Sequence, residues 1–134
     1  MSEPVSDPQT VYEAVGGDPF FETLAERFYE GVATDPELLA LYPTPDDLSD
    51  ATRHLAQFLI QYWGGPTTYS DQRGHPRLRM RHHPFVIGQA ARDGWVRHMS
   101  AALDRAEGLD PEIEARMREY FDMAATHLIN APGQ

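Results

Sequence analysis

Two adjacent histidines, His82 and His83, stand at the end of a short segment that Pro84 terminates. Neighbouring residues of a helix point in directions about 100° apart, so this pair cannot grip one metal ion between its rings. The chain has no cysteine, no helical His-x-x-x-His spacing and no His-Glu pair, which argues against a zinc site. One imidazole is enough, however, to hold the iron of a haem that is buried between helices. A lone histidine is more often a surface residue or a hydrogen-bonded core residue than a metal ligand, so the pattern is a weak signal by itself.

Basic residues concentrate around these histidines. All eleven basic residues are arginine, and an arginine cluster of four lies within nine positions: Arg73, Arg77, Arg79 and Arg81. The formal net charge of −10 argues against binding to nucleic acids or acidic lipid surfaces. Arginines on a short helix are usually solvated, but such a local cluster also suits a carboxylate or phosphate ligand. The two propionates of a haem are groups of this kind.

Tyr29 and Trp95 are candidates for polar groups that point into the core. Each lies on or beside the apolar stripe of a predicted helix. The common interpretation is that they are core aromatics whose polar tips meet backbone carbonyls. The other interpretation is that their donors converge on a ligand, which sequence spacing alone does not show.

The elements that must position these residues are all predicted to be helical. Asp followed by Pro supplies an N-cap acceptor and a residue suited to the first helical position, and the pair occurs at Asp18, Asp35 and Asp110. Glycines and prolines between the apolar stretches are expected to end the helices. Apolar spacing then predicts helices at residues 10–15, 19–33, 36–41, 49–63, 77–83, 89–106 and 111–129, with residues 67–76 as a loop.

The helix predicted at residues 49–63 is expected to present one apolar face to the core. Its apolar residues recur at three- and four-residue steps, the spacing of one side of a helix. The residues expected on this inward face are Ala51, Leu55, Phe58, Leu59 and Tyr62.

Length and composition restrict the class of protein. A chain of 134 residues is the size of one domain and can bury a core without covalent staples. The absence of cysteine excludes disulfide scaffolds and thiolate metal sites. The N-terminus carries Glu3 and Asp7 where a signal peptide needs positive charge, and no stretch approaches the length of a membrane span. We therefore expect a cytoplasmic protein whose residues 1–9 form a flexible tail.

Five motifs follow one another along the chain in a specific order. They are Arg27-Phe28-Tyr29, Tyr42-Pro43, Gln61-Tyr62-Trp63-Gly64-Gly65-Pro66, the run from Arg73 to His82, and Arg92-Asp93 followed by Trp95. Together they closely resemble the group II truncated haemoglobins, over about residues 11–131. The resemblance is specific because long motifs occur in the right order along the whole chain.

The resemblance implies an all-α truncated globin fold, a two-over-two helical sandwich around haem b (protohaem IX), in a domain at residues 10–131. It implies that His82 is the proximal iron ligand and that Tyr29, Tyr42 and Trp95 hydrogen-bond the bound ligand on the distal side. Ala51 falls where many globins keep a distal histidine. The other haem-pocket residues that it implies are Leu55, Phe58, Leu59, Phe85 and Ile87, and those near the propionates are His54, Tyr69 and Arg79.

The function implied by the resemblance is reversible binding of O2, and also of CO and NO, at a pentacoordinate haem iron. Several donors around the ligand imply slow release, which suits storage or redox chemistry better than bulk delivery. Peroxide reduction or NO oxidation would need a reductase that the sequence does not identify, and a homo-oligomer is left open. An alternative from a different class is a haem-free helical interaction module that docks an acidic partner through the arginine cluster.

Overall fold

The computed structural model describes residues 10–42, 46–74 and 88–127 of the chain. In these ranges the regular elements are helices and none is a strand, which confirms the all-α prediction. None of the described helices is long and apolar enough to cross a membrane. The predicted helix at 77–83 and the last residues of the one at 111–129 lie outside the described residues. The described helices are α1 (Val11–Ala14), α2 (Asp18–Val32), α3 (Pro36–Leu39), α4 (Ser49–Tyr62), α5 (Thr68–Arg73), α6 (Gln89–Asp104) and α7 (Pro111–His127).

Four long helices build the core. Helix α2 packs against both α4 and α6, and α6 packs against α7. Apolar residues of α2 recur along its whole length, so this helix can bury one side against two neighbours at once. Full burial of one large apolar side chain contributes about 1.5–3 kcal/mol, and seven such side chains meet here. They are Phe21, Phe28, Val32, Leu59, Met99, Leu103 and Met117.

The Asp-Pro signals have different outcomes at the described helix starts. Asp35 caps α3 as predicted, accepting from the backbone N–H three residues later at 3.3 Å, and Asp110 accepts from the N–H two residues later at 2.8 Å. At α2 the prediction is wrong, because Gly17 is the N-cap and Asp18 is already helical. The Asp18 carboxylate accepts instead from the hydroxyl of Tyr12 at 2.7 Å. The Asp18 oxygen that the local pattern assigns to the helix cap is thus hydrogen-bonded to a side chain of α1.

Helix α5 forms where the sequence predicts a loop. Its residues are mostly polar, and four of the six are weak helix formers, so the local pattern does not favour a helix there. The side chain of Gln61 on α4 holds it: the amide oxygen accepts from the N–H of Ser70 at 2.9 Å and the amide nitrogen donates to the Ser70 hydroxyl at 2.8 Å. A contact between two segments therefore decides an element that local spacing misses.

The inward face of α4 differs from the predicted one. Ala56, Leu59 and Ile60 are the buried residues of the helix, and Trp63 is buried directly after it. The prediction is wrong for Tyr62, which is 49 % exposed and stacks on Tyr120 of α7 with ring centroids 4.1 Å apart. The buried aromatic residue at this end of the helix is instead Trp63, which is 8 % exposed. Of the five residues predicted inward, Leu59 is fully buried, whereas three are half-buried: Ala51, Leu55 and Phe58.

Candidate functional site

Tyr29 lies on the buried side of α2. Only 9 % of its surface is exposed, and its ring meets that of Phe28 edge to face with centroids 4.8 Å apart. Because α2 packs against both α4 and α6, the packing of the helix fixes the direction in which Tyr29 points. The predicted inward location of Tyr29 is confirmed.

Tyr42 follows α3 and brings a second phenol beside the first. The rings of Tyr29 and Tyr42 lie edge to face, with centroids 5.5 Å apart and planes at 81°. Helix α3 sets this position, because Asp35 caps its start and Leu38 is buried beneath it. The N–H of Tyr42 then donates to the carbonyl of Leu39 at 3.1 Å, which continues the turn after the helix.

Tyr29 and Tyr42 affect each other's pKa as well as packing against each other. Burial raises the pKa of Tyr29 well above its ordinary value, and the neighbouring phenol of Tyr42, through its charge and a hydrogen bond, raises it further. Burial also raises the pKa of Tyr42, against a smaller lowering by the hydrogen bond with Tyr29. Both hydroxyls therefore keep their protons at neutral pH. A hydrogen bond between the two phenols uses one of their two hydroxyl protons and leaves the other for a further acceptor.

Trp95 joins the same group of rings from α6. It is half-buried, and its ring lies 5.0 Å from Phe28 and 5.8 Å from Phe121, centroid to centroid. Phe28 contacts both Trp95 and Tyr29, so it links the aromatic groups of two helices. The structure thus brings Tyr29 and Tyr42 into direct contact and places Trp95 next to them through Phe28.

Helix α4 contributes an apolar wall to the site, formed by three of its side chains. Ala51, Leu55 and Phe58 pack against the core cluster and are nevertheless half-buried rather than covered. Their spacing puts them on one side of the helix, next to the buried face. Leu59, which the resemblance counts among the pocket residues, lies wholly within the core.

The residues implied near the propionates follow on from this wall. His54 is half-buried on α4, and Tyr69 on α5 is buried with its ring 5.7 Å from that of Phe58. The other site residues predicted from the sequence lie outside the described residues: Arg79, His82, Phe85 and Ile87.

Comparison with known proteins decides the family. Residues 10–130 match the sequence model of the family described as bacterial-like globin. The chain is also 40 % identical over 119 residues to the group 2 truncated haemoglobin YjbI of Bacillus subtilis, a match that covers 89 % of this chain and 87 % of that protein. This chain belongs to the group II truncated haemoglobins.

Solved structures confirm the fold of this truncated haemoglobin. A thermostable haemoglobin from Thermobifida fusca superposes with a TM-score of 0.87 and 53 % identity, covering 91 % of this chain and 98 % of that one. A truncated oxygen-avid haemoglobin from Bacillus subtilis gives a TM-score of 0.83 and 38 % identity, covering 91 % and 100 %. The two-over-two helical fold implied by the sequence resemblance is therefore confirmed, with α2 and α4 as one pair and α6 and α7 as the other.

Membership of the globin family implies that this truncated haemoglobin binds haem. The described residues fit such a group: a porphyrin presents two flat apolar faces, and the half-covered side chains of Ala51, Leu55 and Phe58 form an apolar surface of that kind. The core cluster behind this surface contains the buried Tyr29, and the half-buried Tyr42 packs against the same cluster. Family membership also argues against the haem-free interaction module.

Phe28 is a site residue that sequence reasoning treats only as part of the core. Its apolar side chain carries no donor, so nothing in its chemistry distinguishes it from Phe21 or Leu24. The only sequence signal is its position directly before Tyr29, in the motif Arg27-Phe28-Tyr29. Its contact with Trp95 requires the crossing of α2 and α6, which spacing along the chain does not give.

Proposed function

We propose that this truncated haemoglobin binds haem b through His82 and reversibly binds O2, and also CO and NO, in a pocket closed by Tyr29, Tyr42 and Trp95. Haem, when bound, supplies a pentacoordinate iron at which the diatomic ligand is held. The observation that carries the proposal is the edge-to-face pairing of the buried Tyr29 with the half-buried Tyr42, both of which keep their protons at neutral pH. The apolar wall on α4 packs against the same core cluster.

The phenol pair acts by donating hydrogen bonds in a dry environment. A ligand that gains negative charge is stabilised most by donors that are already oriented and shielded from water. A hydrogen bond between Tyr29 and Tyr42 uses one of their two hydroxyl protons, and in this proposal Tyr42 donates the other to the ligand. The indole N–H of Trp95 supplies a further donor from α6 in this proposal.

Slow release of the ligand follows from several donors acting together, since each must be broken before the ligand leaves. The similar haemoglobin from Bacillus subtilis is described as oxygen-avid, which supports this part of the proposal. Slow release suits oxygen storage or redox chemistry in the cytoplasm. Peroxide reduction or NO oxidation would require an electron donor of the reductase class.

The remaining assignments extend the same pocket. We place the haem propionates near His54, Tyr69 and Arg79, and the proximal face of the haem against Phe85 and Ile87. Helix α4 supplies the distal wall through Ala51, Leu55 and Phe58, with Leu59 supporting it from the core. The globin domain spans residues 10–131, behind a tail of residues 1–9.

The test is the optical spectrum of purified protein reconstituted with haem, in the ferric, ferrous and ferrous-CO forms. Wild type is expected to give the spectrum of a histidine-ligated haem, and His82→Ala is expected to abolish or strongly alter it. His83→Ala is the matched control, because the adjacent ring faces a different direction on a helix and its loss should leave the spectrum unchanged. A wild type that takes up no haem contradicts the proposal, and a spectrum that depends on His83 instead contradicts the assignment of His82.

A further inference from the structure

A half-buried hydrogen bond joins α6 to the start of α3. The Nε2 atom of His98 lies 2.9 Å from Oδ2 of Asp35, although 63 positions separate the two residues. The two side chains are 15 % and 16 % exposed, so the contact is partly shielded from water. Neither residue belongs to the site described above.

Asp35 has two acceptor tasks at once. One carboxylate oxygen caps α3 by accepting from the N–H of Leu38 at 3.3 Å, while the other faces His98. The hydrogen bond from His98, followed by that from Leu38 and a smaller contribution from Arg97, lowers the pKa of Asp35 below its ordinary range. An ionised carboxylate only accepts, so Nε2 of His98 carries the shared proton. The guanidinium of Arg97 also reaches Asp35 at 3.1 Å, but it is 65 % exposed.

The opposite edge of the His98 ring lies against the backbone of α2. A Cβ atom added at Gly31 would stand 2.5 Å from Nδ1 of His98, closer than real side chains approach. Only glycine therefore leaves room for this ring at the crossing of α2 and α6. The imidazole is held from two sides, by a carboxylate and by a helix backbone.

This position ties together the three segments that carry the distal donors. His98 follows Trp95 by about one turn of α6, Gly31 follows Tyr29 by two residues on α2, and Asp35 begins the short helix that leads to Tyr42. A shift of α3 against α6 would therefore move Tyr42 relative to Trp95. The hydrogen bond between His98 and Asp35 directly opposes such a shift, together with the more exposed contact of Arg97 with the same carboxylate.

We propose that His98 and Asp35 form a positioning pair that sets the placement of the distal donors and so the rate at which the ligand leaves. The inference rests on the proposed binding of diatomic ligands in this pocket. Its chemical content is one charge-assisted hydrogen bond whose loss loosens α3, and with it Tyr42, without removing any distal donor.

Two substitutions remove the hydrogen bond between His98 and Asp35 without removing the side-chain cap of α3. Asp35→Ser keeps a side-chain oxygen that caps α3 but is too short to reach His98, and His98→Leu removes the donor while filling the slot. Each is expected to raise the O2 dissociation rate, measured by stopped-flow ligand replacement, about two- to tenfold, the equivalent of one hydrogen bond. The double variant should match the singles, because one interaction is lost only once.

Matched controls surround these variants. Arg97→Gln removes the exposed contact to the same carboxylate and should leave the rate unchanged. His98→Gln restores an N–H donor of similar reach and should return the rate towards wild type. Failure of His98→Gln to do so counts against hydrogen bonding by His98 as the cause.

A second readout does not depend on ligand release. The chain has two tryptophans, Trp63 and Trp95, whose indole N–H signals can be followed by 15N NMR in the haem-free protein. Asp35→Ser is expected to shift the signal of Trp95 and leave that of Trp63, which lies after α4. A shift in neither overturns the inference.

The outcomes distinguish the inference from the proposed function. If wild type binds O2 and both variants release it at the rate of Arg97→Gln, the pair is only a packing contact and the inference is wrong, while the proposed function stands. If wild type binds no haem, both fail together.

Discussion

The hydroxyl-bearing rings of Tyr29 and Tyr42 meet edge to face with centroids 5.5 Å apart, one from a long helix and one from the turn after a short helix. Each phenol affects the pKa of the other through a hydrogen bond. Such a bond uses one of the two hydroxyl protons, so one proton remains to be donated to another acceptor. Removal of either oxygen therefore tests the pair.

Tyr42→Phe should speed ligand release while keeping the ring contacts. The substitution removes the hydroxyl that we assign as the donor to the ligand, and a hydrogen bond to a charged or partly charged acceptor corresponds to about tenfold or more in rate. The O2 and CO dissociation rates of the haem-loaded protein measure this. Tyr12→Phe is the control, because its hydroxyl already donates to Asp18 near the start of α2. Equal rates for Tyr42→Phe and wild type would show that Tyr42 is not a distal donor.

Stability should fall at alkaline pH because the phenol of Tyr29 is buried. Burial raises the pKa of Tyr29 in the folded protein, whereas an unfolded tyrosine ionises at about 10. A group with a raised pKa contributes its stability fully below the unfolded pKa and loses it as the pH rises through the folded pKa. Urea unfolding of Tyr29→Phe should therefore show a smaller loss of stability than wild type between about pH 9 and 11. Parallel pH curves for the two proteins would contradict this.

Asp35 should behave in the opposite way at acid pH. Its pKa is lowered in the folded protein, chiefly by the hydrogen bond from His98, while an unfolded aspartate titrates at about 3.9. Its contribution is then present above the unfolded pKa and is lost as the pH falls through the folded pKa. The stability difference between wild type and Asp35→Ser, from urea unfolding, should shrink as the pH falls below about 4. A difference that does not change with pH would mean that the carboxylate charge has no part in it.

Local pattern was sufficient for the long helices but not for the contacts between them. The apolar spacing of α2 predicts its extent to within a residue and the inward position of Tyr29. Helix α5 was missed because it depends on hydrogen bonds from Gln61 rather than on its own residues. Tyr62 was assigned to the core because spacing gives the side of a helix but not which neighbour fills it.

The site was predicted from motifs rather than from geometry. The resemblance named Tyr29, Tyr42 and Trp95, but the meeting of Tyr29 with Tyr42 depends on the length and cap of α3. The pairing of His98 with Asp35 has no local signal in the sequence. Neither a histidine on α6 nor an Asp-Pro pair far away along the chain indicates that the two residues meet. Contacts that join distant segments are what a single sequence conceals.

Gly31→Ala and Gly94→Ala make a matched pair of helical glycines that should differ in sign. At Gly31 the added methyl would lie 2.5 Å from the His98 ring, so either the ring leaves Asp35 or α2 and α6 separate, and overpacking of this kind costs about 1–3 kcal/mol. At Gly94 the nearest atom is 3.6 Å away, an ordinary contact, and alanine should stabilise the helix by about 0.5–1 kcal/mol. Urea unfolding of both variants measures the difference. If Gly31→Ala is as stable as Gly94→Ala, the space between α2 and α6 admits both the His98 ring and an added methyl group. The packing of the two helices then does not hold the ring in place.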